Sequence, residues 1–238
     1  MTTPYFILSR PITKSITDKS EDTIIASTVS KINYILPHNN LDYYREHGLF
    51  ENSLIEWCTQ FGSSDKIFLD IGAHSGTYAL SLAKHFRQVY AFEPQRMTYY
   101  TLCGSVALSN LVNVHCLNFG LGSPDQVGNK ELKIISADGG GSTIQELQPH
   151  HHLLATETIE IRTLDSLQLE NVGFIKMDVE GNELDVLRGA VSSISRWNMP
   201  RILFESNDRD KALFEFIINL GYKITPIAGY RNMFMAFI

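Results

Sequence analysis

"KIFLDIGAHSGTYALSLAKHF", Lys66 to Phe86, reads as a buried strand, a tight glycine turn and a helix. Ile67, Phe68 and Leu69 form the uninterrupted apolar run expected of a strand covered on both faces. Ala79, Leu82, Ala83 and Phe86 then recur at i, i+3, i+4 and i+7, one stripe of a helix. In an open α/β sheet, ligands bind at the carboxyl ends of the strands, where strand order reverses, so the turn decides the ligand. A phosphate loop needs a lysine after its last glycine, and none follows here. A dinucleotide fingerprint needs G-x-G-x-x-G, but Gly72 and Gly76 enclose Ala73, His74 and Ser75.

What stands instead is Asp70, Gly72 and Gly76, with an acid ending the strand. A carboxylate there is ill suited to a pyrophosphate but can help to hold a cationic or hydroxyl-rich ligand, directly or through water. The glycines allow a sharp turn and close approach of the backbone. The next strand, "QVYAFEP", ends in Glu93, twenty-one residues after Gly72, and is closed by Pro94. An acid at this spacing accepts both hydroxyl hydrogens of an adenosine ribose. An amino-acid-bearing nucleoside without phosphates fits this pair of acids, and S-adenosylmethionine is such a molecule. The alternative is structural: Asp70 caps the following helix and Glu93 is solvated.

Strand–helix alternation continues on either side of a break. "RMTYYTLCGSVALSN" predicts a helix with Tyr100, Cys103 and Ala107 on one face, followed by a third strand in "VNVHCLNFGLG". Roughly from Ser123 to Ser166 the rhythm fails, and "ELKIIS" and "TIEIRTL" predict a β-hairpin or two edge strands around a glycine-rich loop. Alternation resumes with "GFIKMDV", "NELDVLRGA", "PRILFES" and "DRDKALFEFIINLGY", and Gly221 stops the last helix. "YKITPIA" and "NMFMAFI", joined by "GYRN", predict an antiparallel pair. The fold expected is a three-layer αβα arrangement around a mostly parallel sheet with an antiparallel C-terminal strand. Residues 1–62 lack the alternation and are expected to cap a core domain over 63–238.

A chain of 238 residues with 44% hydrophobic content can bury one sizeable core. Its net charge of −6 argues against a sequence-independent grip on nucleic acid and against an anionic membrane surface. No apolar run approaches the ~18 residues that span a bilayer. "MTTPYFILSRPITKSITDKS" has no cationic start followed by a long apolar segment, so no secretory leader is expected. Three cysteines, odd in number and without metal-ligand spacing, fit a reducing, cytoplasmic compartment.

"FLDIGAHSGTYAL", "AFEP", "TLDSL" and "FIKMDVEGNELDVLRGA" together resemble the successive motifs of the FkbM-type methyltransferases. The resemblance runs from about Glu51 to Ile238, and the "KMDVEGNE…VLRGA" block is its most specific part. It implies S-adenosylmethionine-dependent O-methylation on the Rossmann-like class I fold. It also implies that Asp70, Gly72, Ala73, His74 and Gly76 wrap the methionine part, with Glu93, beside Pro94, on the ribose. Asn118 and Phe119 would lie near the adenine, and Glu51 near the methionine amino group. Glycans, polyketides and lipids are the acceptors implied, a sugar hydroxyl first among them.

Methyl transfer is an in-line displacement, so the enzyme must align the reactants and take a proton from the acceptor. The fourth strand brings Asp178 and Glu180 to the sheet edge, and two acids so close raise the apparent pKa of one. Asp178 is the first candidate for the base, then Glu180; Glu205 ends the next strand and could share the proton or pair with Arg201 or a lysine. Glu183 suits a helix N-terminus, and His74 a hydrogen-bonding rather than a basic role. Asp178, Glu180, Glu183, Glu205 and Asn207 have the oxygen chemistry of a Mg²⁺ site, but not the local pattern of the metal-dependent catechol methyltransferases, and no metal is expected. His150–His152 reads as a solvated loop. Ser142 and Thr143 in "DGGGSTI" are expected on a lid or at the substrate. Two competing classes remain: a nicotinamide-dependent oxidoreductase, disfavoured by the missing fingerprint, and an inactive cofactor-binding scaffold, disfavoured by the retained acids.

Overall fold

The computed structural model describes residues 5–11, 31–207 and 210–238. Parts of the expected cap (1–4 and 12–30), among them most of the stretch expected to be no leader, and 208–209 at the start of the last expected helix, lie outside the described residues. The chain begins with an antiparallel pair, β1 (Tyr5–Pro11) and β2 (Lys31–Pro37), then helices α1 (Leu41–His47) and α2 (Asn52–Cys58). Alternation starts with β3 (Ser63–Ile71), α3 (Thr77–Leu82), β4 (Phe86–Phe92), α4 (Arg96–Leu108) and β5 (Val114–Leu117). After β6 (Gly120–Leu121), β7 (Gly128–Ile134) and β8 (Ala155–Arg162) come β9 (Val172–Met177), α5 (Glu183–Arg188), α6 (Val191–Arg196) and β10 (Arg201–Glu205). The chain closes with α7 (Lys211–Asn219), β11 (Lys223–Pro226) and β12 (Met233–Phe237).

Seven strands form the central sheet in the order β11-β12-β10-β9-β3-β4-β5. β12 runs antiparallel to β10 and β11, as the final hairpin predicts. Along β3 the side chains alternate between two cores. Phe68 packs with α2, α3 and α4 on one face, while Ile67, Leu69 and Ile71 pack with α5, α6 and α7 on the other. Being covered on both faces is why these strands read as unbroken apolar runs.

Strand order reverses between β3 and β9, and the loops after these two strands touch. A Cβ built on Gly72 would lie 1.8 Å from the Asp178 carbonyl oxygen, at a φ of +75°. Only glycine lets the two loops close the floor of the crevice.

Of the two alternatives for the insertion, the β-hairpin is the one observed: β7 and β8 pair antiparallel and with β6 make their own three-stranded sheet apart from the main one, with Leu132, Ile159 and Ile161 as a small separate core. One expectation needs correction. On α4 the buried side is Thr98, Thr101, Leu102 and Ser105, whereas Tyr100 is 55% exposed. The cause is the N-terminal cap: β2 lies across α4, and the Ser105 and Ser109 hydroxyls accept the Ile35 and Asn33 amides at 2.8 Å each. A helix that meets a strand's backbone needs hydroxyls on that face, which an apolar stripe does not reveal. Tyr34 and Leu36 from β2 also enter the core beside Leu80 and Leu82, so cap and sheet share one interior.

Candidate active site

A cavity of about 470 Å³ opens at the carboxyl ends of β3, β4 and β9, within the size range of small-molecule sites. Gly72, Ala73 and His74 line it from the glycine turn, Glu93 and Pro94 from the end of β4, and Lys176, Asp178 and Glu180 from β9. The three-stranded sheet adds an apolar wall of Leu132, Ile159 and Ile161, next to Gly120 and Leu121.

Glu93 is buried, and each of its oxygens has one backbone donor. Oε2 accepts the His74 amide and Oε1 the Gln95 amide, both at 2.9 Å. An ionised carboxylate has about four acceptor sites, so the two oxygens keep capacity for hydroxyl hydrogens from the cavity. Burial pushes this carboxyl up to about 7, against the pull of the two amides.

Asp70 sits differently from the expectation that it meets the ligand. It is fully buried and does not line the cavity. Its Oδ2 accepts the Ala79 amide at 2.8 Å, capping α3 from the strand. The reason is local: the residue preceding α3 is Gly76, at a φ of +83°, which has no side chain to cap with. Gly76 in turn faces Leu80 and Leu102 rather than the cavity.

The His74 ring bridges rather than reacts. Its Nε2 lies 2.8 Å from the Asp138 carbonyl oxygen, which can only accept, so Nε2 carries the hydrogen. Nδ1 then accepts the Ser75 hydroxyl at 3.0 Å, and burial holds the ring's pKa below its ordinary value. Asp138 Oδ2 accepts from Asn39 and Asn40 at 3.1 Å each, which ties the glycine-rich loop to the cap.

That loop covers the acids. Gly139 through Ile144 line the cavity; the Gly141 amide donates to Glu180 Oε1 at 3.1 Å, and the Thr143 hydroxyl donates to the Glu180 carbonyl at 2.8 Å. Glu180 has a φ of +53°, and Gly181 beside it +93°. A left-handed non-glycine residue is strained, and such strain concentrates at functional positions. Burial first, and the Asp178 charge second, push the Glu180 carboxyl up to about 7.

Asp178 is the most occupied of the acids. Burial opposes its ionisation, but the Lys176 ammonium, 3.3 Å from Oδ2, and a hydrogen bond with Glu205 hold its pKa below the ordinary value. Two carboxyls can share a hydrogen bond only if one keeps a proton. Burial and the Asp178 charge put that proton on Glu205, whose pKa rises to about 9. Glu205 does not line the cavity; it stands behind Asp178 and accepts from Asn232, not from Arg201. One oxygen from each of Asp178, Glu180 and Glu205 lies within 4.8 Å of the others. Glu183 accepts the Val179 amide at 2.9 Å at the start of α5.

Residues 70–231 match the Methyltransferase FkbM domain. The chain belongs to the FkbM methyltransferase family. Among similar proteins is Methyltransferase 1 of Beauveria bassiana, 30% identical over 146 residues, which cover 52% of this chain and 58% of that protein. Hexuronic acid methyltransferase AglP of Haloferax volcanii is 27% identical over 155 residues, covering 62% of this chain and 59% of its own. The chain thus matches less than two thirds of the length of either. The crystal structure of the methyltransferase FkbM from Methylobacillus flagellatus KT shares the fold, with a TM-score of 0.52 at 20% identity over 73% of this chain and 44% of that one.

Other predicted positions of this FkbM chain fall in and around the cavity. Glu51 lines it from the residue before α2, accepting the Tyr78 hydroxyl at 2.7 Å. Asn118 and Phe119 do not line it; Gly120 and Leu121 do. Asn118 is drawn away because its amide donates to the Glu93 and Pro94 carbonyls at 2.9 and 3.0 Å. Phe119 packs edge-on against Phe92 beneath the Arg162 guanidinium. Sequence reasoning missed Lys176, Tyr78, Tyr44 and Phe50, all on the cavity wall. Lys176 had a visible signal, a lone charge inside the apolar run "GFIKMDV". No helix among the described residues is long and apolar enough to cross a membrane.

Proposed function

We propose that the protein transfers a methyl group from S-adenosylmethionine to a hydroxyl oxygen of a small molecule or glycan, a sugar hydroxyl first. The observation that carries this is the Glu93 carboxylate. It lines the cavity with acceptor capacity to spare, and the same cavity holds an apolar wall and a cluster of acids. The donor set suits the cofactor: Glu93 for the ribose hydroxyls, Gly120, Leu121 and Ile161 for the adenine, Glu51 and Asp178 for the positive charges of the methionine part. When bound, the cofactor supplies an electrophilic methyl group on a sulfonium.

The chain's own tasks are then to align the acceptor and take its proton. Glu180 fits the base better than Asp178, which was the first candidate. Asp178 is neutralised by Lys176 and bonded to Glu205, whereas Glu180 lines the cavity with no cation against it among the described hydrogen bonds and ion pairs. A base titrating near neutrality is the efficient choice at physiological pH. Lys176 and Glu205 hold Asp178 ionised and in place for the methionine part of the cofactor. Family membership and the hexuronic acid methyltransferase relative support a glycan acceptor. Three free cysteines support a reducing compartment.

Calorimetry with S-adenosylmethionine, S-adenosylhomocysteine and NAD tests the cofactor. Binding of the first two and not of NAD is expected, and binding of NAD alone would overturn it.

A further inference from the structure

Two aromatic rings, one of them exposed, and several acids line the cavity, and these two facts constrain the acceptor. Tyr44 and Phe50 line the cavity from α1 and the segment that follows it. Phe50 is 39% exposed and stacks on Tyr43, with ring centroids 4.1 Å apart and planes 18° from parallel. Tyr44 meets Phe50 edge-on at 5.0 Å, which fixes the ring's orientation. Five carboxylates line the same cavity, Glu51, Glu93, Asp138, Asp178 and Glu180. Among the described residues its only ammonium or guanidinium is Lys176, and that group is 5% exposed and held by Asp178 and the Gly72 carbonyl. Basic side chains on α1 face acids of their own: Arg45 pairs with Asp42, and His47 with Glu46.

We infer that the acceptor subsite is the exposed aromatic side of the cavity at Phe50, and that it takes a saccharide ring without an acidic substituent, seated on that ring. The inference rests on the methyl-transfer reading and narrows its acceptor. A pyranose presents a face of C–H groups that suits an aromatic ring, while its hydroxyls reach the polar rim of Asn40, Asp138 and Ser142. An acidic substituent would lose hydration among carboxylates and, among the described residues lining the cavity, find no free cation. An amino substituent would gain from both the acids and the ring. This chain therefore departs from its hexuronic acid methyltransferase relative in the acceptor it takes.

The test uses the full chain saturated with S-adenosylhomocysteine. Methyl glucoside, methyl glucosaminide, methyl glucuronide and glucose 6-phosphate are compared by saturation-transfer NMR and titration. The glucoside and glucosaminide should bind, the latter more tightly, and both anionic sugars at least about tenfold more weakly. Phe50→Ala should weaken saccharide binding about fivefold or more with S-adenosylhomocysteine affinity retained, and Phe50→Trp should restore it. Phe50→Leu, which keeps bulk without a π face, replaces the alanine variant if that fails to fold. Equal or tighter binding of either anionic sugar overturns the inference, as does absence of saccharide binding or indifference to Phe50. Failure of S-adenosylhomocysteine itself to bind would instead overturn the methyl-transfer reading.

Discussion

Replacing Glu180 by glutamine keeps the side chain's size, and an amide oxygen can still accept from the Gly141 amide. What is lost is the ability to take a proton. General-base catalysis contributes about 10²–10⁴-fold, or roughly 2.7–5.4 kcal/mol of barrier. Turnover of Glu180→Gln should fall by about that factor with cofactor affinity within a few-fold, since Glu93 and the glycine turn lie on other strands. The pH profile distinguishes a base from a structural residue. Glu180 titrates at about 7 among Asp178, Glu183, Lys176 and Glu205, so roughly a tenth of it is ionised at pH 6. The wild-type rate should rise about tenfold per pH unit below 7 and level off above, and the variant should lose that slope. Asp178→Asn is the contrast: it leaves Lys176 without its ion pair and lowers turnover, but keeps the slope, displaced to lower pH because the Asp178 charge no longer raises Glu180. Single-turnover methyl transfer across pH 5.5–9 reads all three proteins. A Glu180→Gln enzyme with normal turnover and an intact slope would refute the assignment and return the role to Asp178.

Glu93 must be ionised to accept two hydroxyls, so cofactor affinity should weaken as pH falls below about 7, and calorimetry of Glu93→Gln should show weaker, pH-independent binding. Gly72→Ala forces a Cβ to 1.8 Å from the Asp178 carbonyl and should abolish cofactor binding or folding. Gly181→Ala, with nothing nearer than 3.7 Å, should lose only about 1–2 kcal/mol of stability by denaturant titration, from its positive φ. Asp70, Glu93, Glu180 and Glu205 all have raised pKa values, about 6, 7, 7 and 9. The folded state therefore binds more protons than the unfolded one above pH 4, and the stability this gives is lost as pH rises through those values. The melting temperature of the ligand-free protein should fall between pH 5 and 9, Glu205→Gln should flatten the upper part, and a rise over that range would contradict the burial of these acids. Chelation should leave turnover intact; a loss restored only by Mg²⁺ would show that Asp178, Glu180 and Glu205 hold a metal.

The sheet was legible because strands buried on both faces and helices buried on one leave periodic marks. β3, α3, β4, β9, β10, α7 and the closing hairpin all fall where the sequence puts them. That Glu93 lines the crevice was legible from its position at a strand end and its spacing from Gly72. Asp70 was misread because a strand-end acid has two possible uses, a ligand or a helix N-terminus. The glycine at the N-cap of α3 decides between them, and that needs the register of the helix. The acid cluster was legible as a cluster but not in its roles, because those depend on Lys176 and on a proton shared with Glu205. A strand pattern shows which side chains leave one edge; it does not show which pair forms first. Tyr44 and Phe50 left no mark, since short helices that fold over a crevice have no periodic relation to it.

The last point bears on what family membership can say about substrate. The match to the family starts at residue 70, whereas Asn40, Tyr44, Phe50 and Glu51, which line the cavity, precede it. Tyr44 is buried in the core it shares with β3 and α3, and hydrogen bonds tie its neighbours to the matched segment. Glu51 accepts the Tyr78 hydroxyl from α3, and Asn39 and Asn40 hold Asp138, whose carbonyl accepts from His74 in the glycine turn. One loop residue thus joins the cap, the cofactor turn and the covering loop, and the same loop reaches Glu180 through Gly141. Of the residues proposed to hold the methyl donor, Glu93, Gly120, Leu121, Ile161 and Asp178 lie in the matched segment and Glu51 outside it. The proposed acceptor seat at Phe50 also lies outside that segment, so the charges and rings around Phe50 bear on the acceptor, and the family name is silent on that choice.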